Sequence, residues 1–270
     1  MAAKNTNIRV GIGGWTFEEW RGGVFYPKDL PQKRELEYAG QHLTSIEING
    51  TYYGSQKPES FARWRAETPE GFVFSVKGPR FATNRGVLAE AGSTIERFFK
   101  SGVTELKEKL GPINWQFLPT KKFDAADFEA FLKLLPGKVG DWPIRHVVEV
   151  RHQSFRVPEF VALLRKYSVA TVLTDKDSFP EIPDVTAPFV YARLQQAAEK
   201  IPTGYSPKEL DLWAERAQAW AKGGAPKDLE LVGEPEKKAP KSRDVFVYMI
   251  NGFKPKAPAA AMALIERLAR

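Results

Sequence analysis

Charged and amide side chains interrupt apolar runs of this chain at a recurrent place, their carboxyl end. Glu47 and Asn49 close S-I-E-I-N, Lys77 closes V-F-S-V-K, and Gln116 lies in I-N-W-Q-F-L. Glu149, Arg151 and His152 fall in V-V-E-V-R-H, Asp175 ends T-V-L-T-D, Arg193 lies in F-V-Y-A-R-L, and Asn251 ends V-Y-M-I-N. Trp15 follows I-R-V-G-I-G-G. A charge inside an apolar strand is costly unless it is paired or opens onto water. As chemistry, Glu47 and Glu149 are candidates for a general acid and base, joined by Asp175 and His152. Lys77, Arg151 and Arg193 would bind a carboxylate or phosphate, the arginines in bidentate fashion. Asn49, Gln116 and Asn251 would orient hydroxyls, and Trp15 and Tyr52 would wall the ligand. The competing reading is structural, with Glu149 pairing Lys77 or Arg193 to satisfy one end of a sheet.

The elements that must position these groups follow from periodicity. Eight strands are predicted: Arg9–Gly14, Ser45–Asn49, Phe72–Lys77, Ile113–Leu118, Val147–Arg151, Thr171–Asp175, Phe189–Leu194 and Val245–Asn251. Helical patterns separate them at Lys33–His42, Pro58–Glu67, Ser93–Leu110, Ala125–Leu135, Pro158–Tyr167, Pro207–Lys222 and Pro258–Arg270. Ser93 with Glu96 reads as a capping box and Asp124 with Asp127 as a similar start. Pro58, Pro158, Pro207 and Pro258 suit a first helical turn. Lys176–Pro188 carries three prolines and reads as irregular, with a helix missing or very short.

Strand–helix alternation repeated eight times predicts an α/β fold, a TIM (β/α)8-type barrel forming one domain over residues 1–270. A doubly wound open sheet is the alternative. The polar stretch at about 223–244 reads as a surface loop. In a barrel the carboxyl ends of the strands ring the site. Alternation puts Glu47 with Asn49, and Glu149 with Arg151, on one face, while His152 has the opposite parity and points toward the helix layer. Tyr52, Tyr53 and Tyr205 either close the mouth or pack their loops. Trp20, Trp64, Trp213 and Trp220 read as core.

Composition excludes several classes. The 270 residues contain no cysteine, so disulfides, thiolate metal sites and a catalytic thiol are excluded. Only three histidines are present, which argues against a zinc site. No cofactor is expected; a Mg²⁺ or Mn²⁺ held by Glu47, Glu149 and Asp175 is the alternative to ion pairing. The N-terminal residues lack a leader-like apolar core and no run reaches a membrane span, so the expectation is a cytoplasmic protein without a membrane partner. The net charge of +7 permits nucleic acid as a partner, but lysines interleave with acids, which favours a solvated basic surface and a small polar or anionic ligand. Oligomeric state is not encoded in any motif. The glycines before Trp15 are not a dinucleotide fingerprint, because Thr16 occupies the place of the third glycine in G-x-G-x-x-G.

The ordered motifs G-I-G-G-W, F-Y-P, S-I-E-I-N-G-T-Y-Y, T-P-E-G-F-V-F-S-V-K, W-Q-F-L-P, V-E-V-R-H, Y-A-R-L and V-Y-M-I-N resemble the DUF72 family, the YecE-like proteins, over nearly the whole chain. The resemblance implies a TIM barrel and no assigned activity. It also implies two departures: Gln195-Gln196 stand where the family usually has His-Gly, and Thr83-Asn84 where it tends to have Thr-His. If those histidines transfer protons in relatives, this chain acts on another substrate or has lost activity. Four functions are therefore carried forward: acid–base enzymology on a small polar or anionic molecule, glycoside hydrolysis through Glu47 and Glu149, nucleic-acid processing, and non-catalytic ligand binding.

Overall fold

A computed structural model of the chain describes residues 7–236 and 239–270. The amino-terminal segment read for a leader lies almost wholly outside the described residues, as do Lys237 and Lys238 of the polar loop. Eight parallel strands close into a barrel among the described residues. They are β1 (Ile8–Gly13), β2 (Ser45–Ile48), β3 (Val73–Lys77), β4 (Leu110–Gln116), β5 (His146–Glu149), β6 (Ala170–Thr174), β7 (Phe189–Leu194) and β8 (Asp244–Met249). Each pairs with its sequence neighbours, and β1 closes against β8 from Ile8↔Val245 to Ile12↔Met249. Closure decides between the two architectures that alternation left open, in favour of the TIM-type barrel.

The strand faces divide the apolar residues. Val147, Val172, Phe189, Tyr191, Phe246 and Tyr248 fill the lower barrel interior. The opposite parity, with Ile12, Ile46, Phe74, Ile113, Trp115 and Val148, packs against the helices in the larger core. Trp20, Trp64, Trp213 and Trp220 are buried, as the sequence predicted. The helices are α1 (Glu35–His42), α2 (Gly50–Tyr53), α3 (Pro58–Ala66), α4 (Arg80–Thr83), α5 (Gly92–Lys100), α6 (Ala125–Lys133), α7 (Pro158–Tyr167), α8 (Pro207–Ala221) and α9 (Ala257–Leu268). Proline opens α3, α7 and α8, and Asp124 caps α6 by accepting the Asp127 N–H at 2.9 Å.

Two local expectations are corrected. Ser93 is not an N-cap: α5 starts one residue earlier, after Ala91, and has no side-chain cap. The single helix expected over Ser93–Leu110 is two pieces, α5 and a 3₁₀ segment at Val103–Lys109. Gly102 separates them at φ 97°, and a side chain there would meet Pro58 at 2.7 Å. The connection after β6 contains no helix among the described residues, and Asp184 accepts the N–H groups of Val232 and Gly233 to hold the polar loop. A short hairpin, Lys138–Val139 with Trp142–Pro143, was not predicted, being two residues per strand. No helix among the described residues is long and apolar enough to cross a membrane.

Gly11 answers the question of the amino-terminal glycines. A Cβ at Gly11 would stand 1.9 Å from the Ser45 carbonyl oxygen of β2, so only glycine permits the pairing. Gly14 turns the chain out of β1 at φ 74° and delivers Trp15 to the rim.

Candidate functional site

Register places Gly13 beside Glu47, Lys77 beside Asn114, Gln116 beside Glu149, and Thr174 beside Arg193. These are the top positions of four strand pairs, so their inward side chains meet in one layer. Arg193, 1% exposed, is the centre. Its Nη2 donates to Glu47 Oε1 at 2.9 Å and its Nη1 donates to Glu149 Oε2. Glu149 Oε1 also accepts from Arg151 Nε at 2.8 Å and Nη2 at 2.6 Å. Glu47 Oε2 accepts from the Tyr191 hydroxyl at 2.6 Å and from Asn114 Nδ2 at 3.1 Å. Beneath them Tyr191 and Tyr248 meet the hydroxyls of Ser75 and Ser45, each at 2.7 Å.

Burial alone would raise the pKa of Glu47 and Glu149. The charges of Arg193 and its neighbours outweigh it, holding Glu47 below the usual carboxylate range and Glu149 down to about 2. Both carboxylates are therefore anionic, hydrogen-bonded pillars of the cluster. Neither is held as a protonated acid, and the two grip one guanidinium.

Lys77 is held differently. Its Nζ donates to Gln116 Oε1, a neutral acceptor, at 2.6 Å, and lies 5.2 Å from the Tyr52 ring centre. No carboxylate stands within ion-pair distance of it among the described residues. Burial first, and the Arg193 charge second, pull its pKa down to about 8. Three cations, Lys77, Arg151 and Arg193, thus share the layer with two carboxylates.

The remaining candidates are placed elsewhere. Asp175 accepts the Gln195 N–H at 2.6 Å and the Tyr205 hydroxyl at 2.7 Å, which ties together the loops after β6 and β7. Burial raises its pKa. His152 accepts the Ser154 N–H on Nδ1 at 3.1 Å, capping the turn after β5; its opposite parity keeps it out of the layer. Asn251 is exposed, beyond the end of β8. Glu47, Glu149 and Asp175 do not converge as metal ligands, since hydrogen-bond donors of the protein engage their oxygens; no group of three or more metal-ligating side chains occurs among the described residues.

An open cavity of about 410 Å³ lies at the end of β1 and the start of α2, and none of the side chains of the Arg193 layer lines it. Gly13, Gly14, Trp15 and Asn49 line it together with Gln56, Phe17, Trp64 and Lys254. Trp15 stands edge-on to Trp64 at 5.2 Å. Asn49 Oδ1 is buried without a protein partner, an acceptor left for a ligand. Lys254 lies 4.3 Å from the Phe17 ring centre, and burial lowers its pKa. A second cavity of about 420 Å³ shares Gln56 and is lined by Tyr52 and Tyr53.

Sequence reasoning missed Asn114, Tyr191, Gln56 and Lys254. The first two had a readable signal: each lies two residues before a chosen residue on the same strand, Gln116 and Arg193, and so shares its face. Gln56 is in a loop and Lys254 opens a one-turn 3₁₀ segment, both too short for periodicity to show.

Over residues 9–270 the chain matches the family model described as a protein of unknown function, DUF72. The chain belongs to the DUF72 family. This DUF72 chain is 29% identical over 152 residues to UPF0759 protein YecE of Escherichia coli K12, covering 55% of the chain and 50% of the relative. It is 30% identical over 160 residues to UPF0759 protein YunF of Bacillus subtilis strain 168, covering 57% and 54%. The matched stretch thus spans about half the length of these curated relatives. A DUF72 family protein of Thermotoga maritima MSB8, solved by crystallography, superposes with a TM-score of 0.71 at 22% identity, covering 96% of this chain and 97% of the other. A second, from Enterococcus faecalis V583, gives 0.67 at 19% identity, covering 96% of each. These likenesses agree with the closed barrel.

Proposed function

We propose that the carboxyl-terminal mouth of the barrel binds a small polar anion and transfers a proton on it, with Lys77 as the group that meets the anion. The observation that supports this most directly is the hydrogen bond of a buried lysine to a neutral amide, Gln116, in a layer where both carboxylates are already engaged by arginines. An anion beside Lys77 would balance the third cation of the layer. A lysine whose pKa lies near 8 gives and accepts protons close to neutrality, which the two glutamates in their ion pairs do not. Asn49, with its open acceptor, and the Trp15 wall would position the polar and apolar parts of the ligand. In this reading Glu47, Glu149, Arg151 and Arg193 hold the charge layer in shape.

The test is a calorimetric panel of small carboxylates, phosphates and neutral polyols with the wild type and with Lys77→Met and Lys77→Arg. Anions are expected to bind the wild type and not Lys77→Met, with partial retention in Lys77→Arg. Sign follows from the lysine: bound anion raises its pKa, so binding takes up protons near pH 8 and weakens as pH rises through about 8. Polyols binding in preference to anions, or an affinity indifferent to Lys77→Met, overturns the proposal.

A further inference from the structure

The loops after β2 and β3 present two large aromatic rings to solvent. Tyr53 in α2 is 67% exposed and Phe81 in α4 is 60% exposed. Folding normally hides such rings, and here both border the same 420 Å³ cavity. Arginines surround them. The Arg80 guanidinium lies 5.8 Å from the Tyr53 ring centre and 5.1 Å from that of Phe81. Arg85 donates to the Phe81 carbonyl at 2.8 Å and to Thr94 Oγ1 at 3.1 Å, which fixes its direction along the cavity. Arg97, also exposed, lines the same cavity. Arg85 stands 4.0 Å from Glu90, and neither Arg80 nor Arg97 has an ion-pair partner among the described residues.

We propose that this cavity is a nucleotide-unit site, in which Tyr53 and Phe81 stack a planar base, Arg85 and Arg97 of the lining hold the phosphate, and Arg80, beside both rings and outside the lining, adds a third positive charge. Exposed rings interleaved with guanidinium groups are the combination that single-stranded nucleic acids and free nucleotides share as ligands: each base offers a π-face and each phosphate a charge for a forked donor. A sugar without phosphate would use the rings and leave the three cations unmatched. A plain acidic polymer would use the cations and leave the rings unused. The basic charge of the whole chain is scattered, whereas here it is gathered beside stacking surfaces. The site lies outside the Lys77 layer and does not depend on what that layer does.

Fluorescence anisotropy with a labelled oligothymidylate, calorimetry with adenosine and uridine monophosphates, and anisotropy with labelled polyglutamate together test the proposal. The full chain and the variants Tyr53→Ala/Phe81→Ala and Arg97→Glu are compared at low salt. The altered side chains are exposed, and unchanged melting temperatures would show that the fold is kept. Removal of the two rings is expected to weaken nucleotide or oligonucleotide binding by roughly tenfold or more, and Arg97→Glu to weaken it and flatten its salt dependence. Binding of the monophosphates with this ring dependence identifies free nucleotide as the source, and binding of the oligonucleotide alone identifies a strand. The proposal is overturned if neither binds at low salt, if the ring variant binds as well as the wild type, or if polyglutamate binds as tightly as the oligonucleotide.

Discussion

Replacing Arg193 by methionine removes the one group that both buried glutamates grip. Glu47 and Glu149 are 0% and 1% exposed, so without the guanidinium two carboxylates face each other out of water. The gap between about 2 for Glu149 and its ordinary 4.5 corresponds to about 3 kcal/mol at roughly 1.4 kcal/mol per pH unit. Breaking a buried pair on one side costs about 3–5 kcal/mol. A loss of that size at pH 7 is therefore expected, measured by urea unfolding followed through tryptophan fluorescence. The pH dependence is the sharper readout. In the wild type Glu149 is depressed, so its contribution is complete above the ordinary carboxyl value and disappears as pH falls toward 2. In Arg193→Met a carboxyl is raised, so folding takes up a proton and the variant gains relative stability as pH falls. The difference between the two proteins should narrow from pH 7 to about 4.5. Replacing Glu47 and Glu149 by leucine as well should restore much of the loss, because apolar groups carry no desolvation debt. A difference below about 1 kcal/mol, or one unchanged between pH 7 and 4.5, refutes the reasoning that Arg193 holds this layer together.

Two further outcomes concern the frame. Gly11→Ala puts a methyl group 1.9 Å from the Ser45 carbonyl and should cost about 3 kcal/mol or more, whereas Gly54→Ala, with nothing within 4 Å, should cost little; equal melting temperatures for the two variants would contradict the β1–β2 account. His146 is buried, accepts from Trp115 Nε1 on Nδ1 at 3.1 Å and faces the Pro136 carbonyl at 2.8 Å; burial pulls its pKa to about 4, against the Pro136 hydrogen bond, which raises it. Its folded value lies below the unfolded one, so stability is lost as pH falls from about 6.5 toward 4. Unfolding curves at pH 7 and 5 should differ by about 2 kcal/mol more in the wild type than in His146→Asn.

Much of the frame was legible because it rests on local periodicity. All eight strands were located within a few residues, and Phe189–Leu194 and Pro158–Tyr167 were bounded as observed. Ser93 and Gly102 show where that reading ends: a capping pattern was present at Ser93, but the helix starts at Gly92 without a side-chain cap, and past its end Gly102 packs against Pro58. The alternation rule also found which strand faces carry polar groups, and it would have reached Asn114 and Tyr191 had it been applied one step further down each strand.

What the sequence determined by itself is that a polar or indole group recurs at one end of eight alternating strands, charged on five of them, because a pleat of period two and an apolar background leave few other places for such groups. Tertiary structure decided what those charges do. Pairing is a matter of distance between residues over a hundred positions apart, such as Arg193 with Glu47, and no local pattern carries distance. Closure of the barrel brought two glutamates onto one arginine and so kept them ionised. It left Lys77 on a neutral amide. It also set exposed Tyr53 and Phe81 beside Arg80, which has no ion-pair partner among the described residues, a neighbourhood that exists only once the loops of different strands meet.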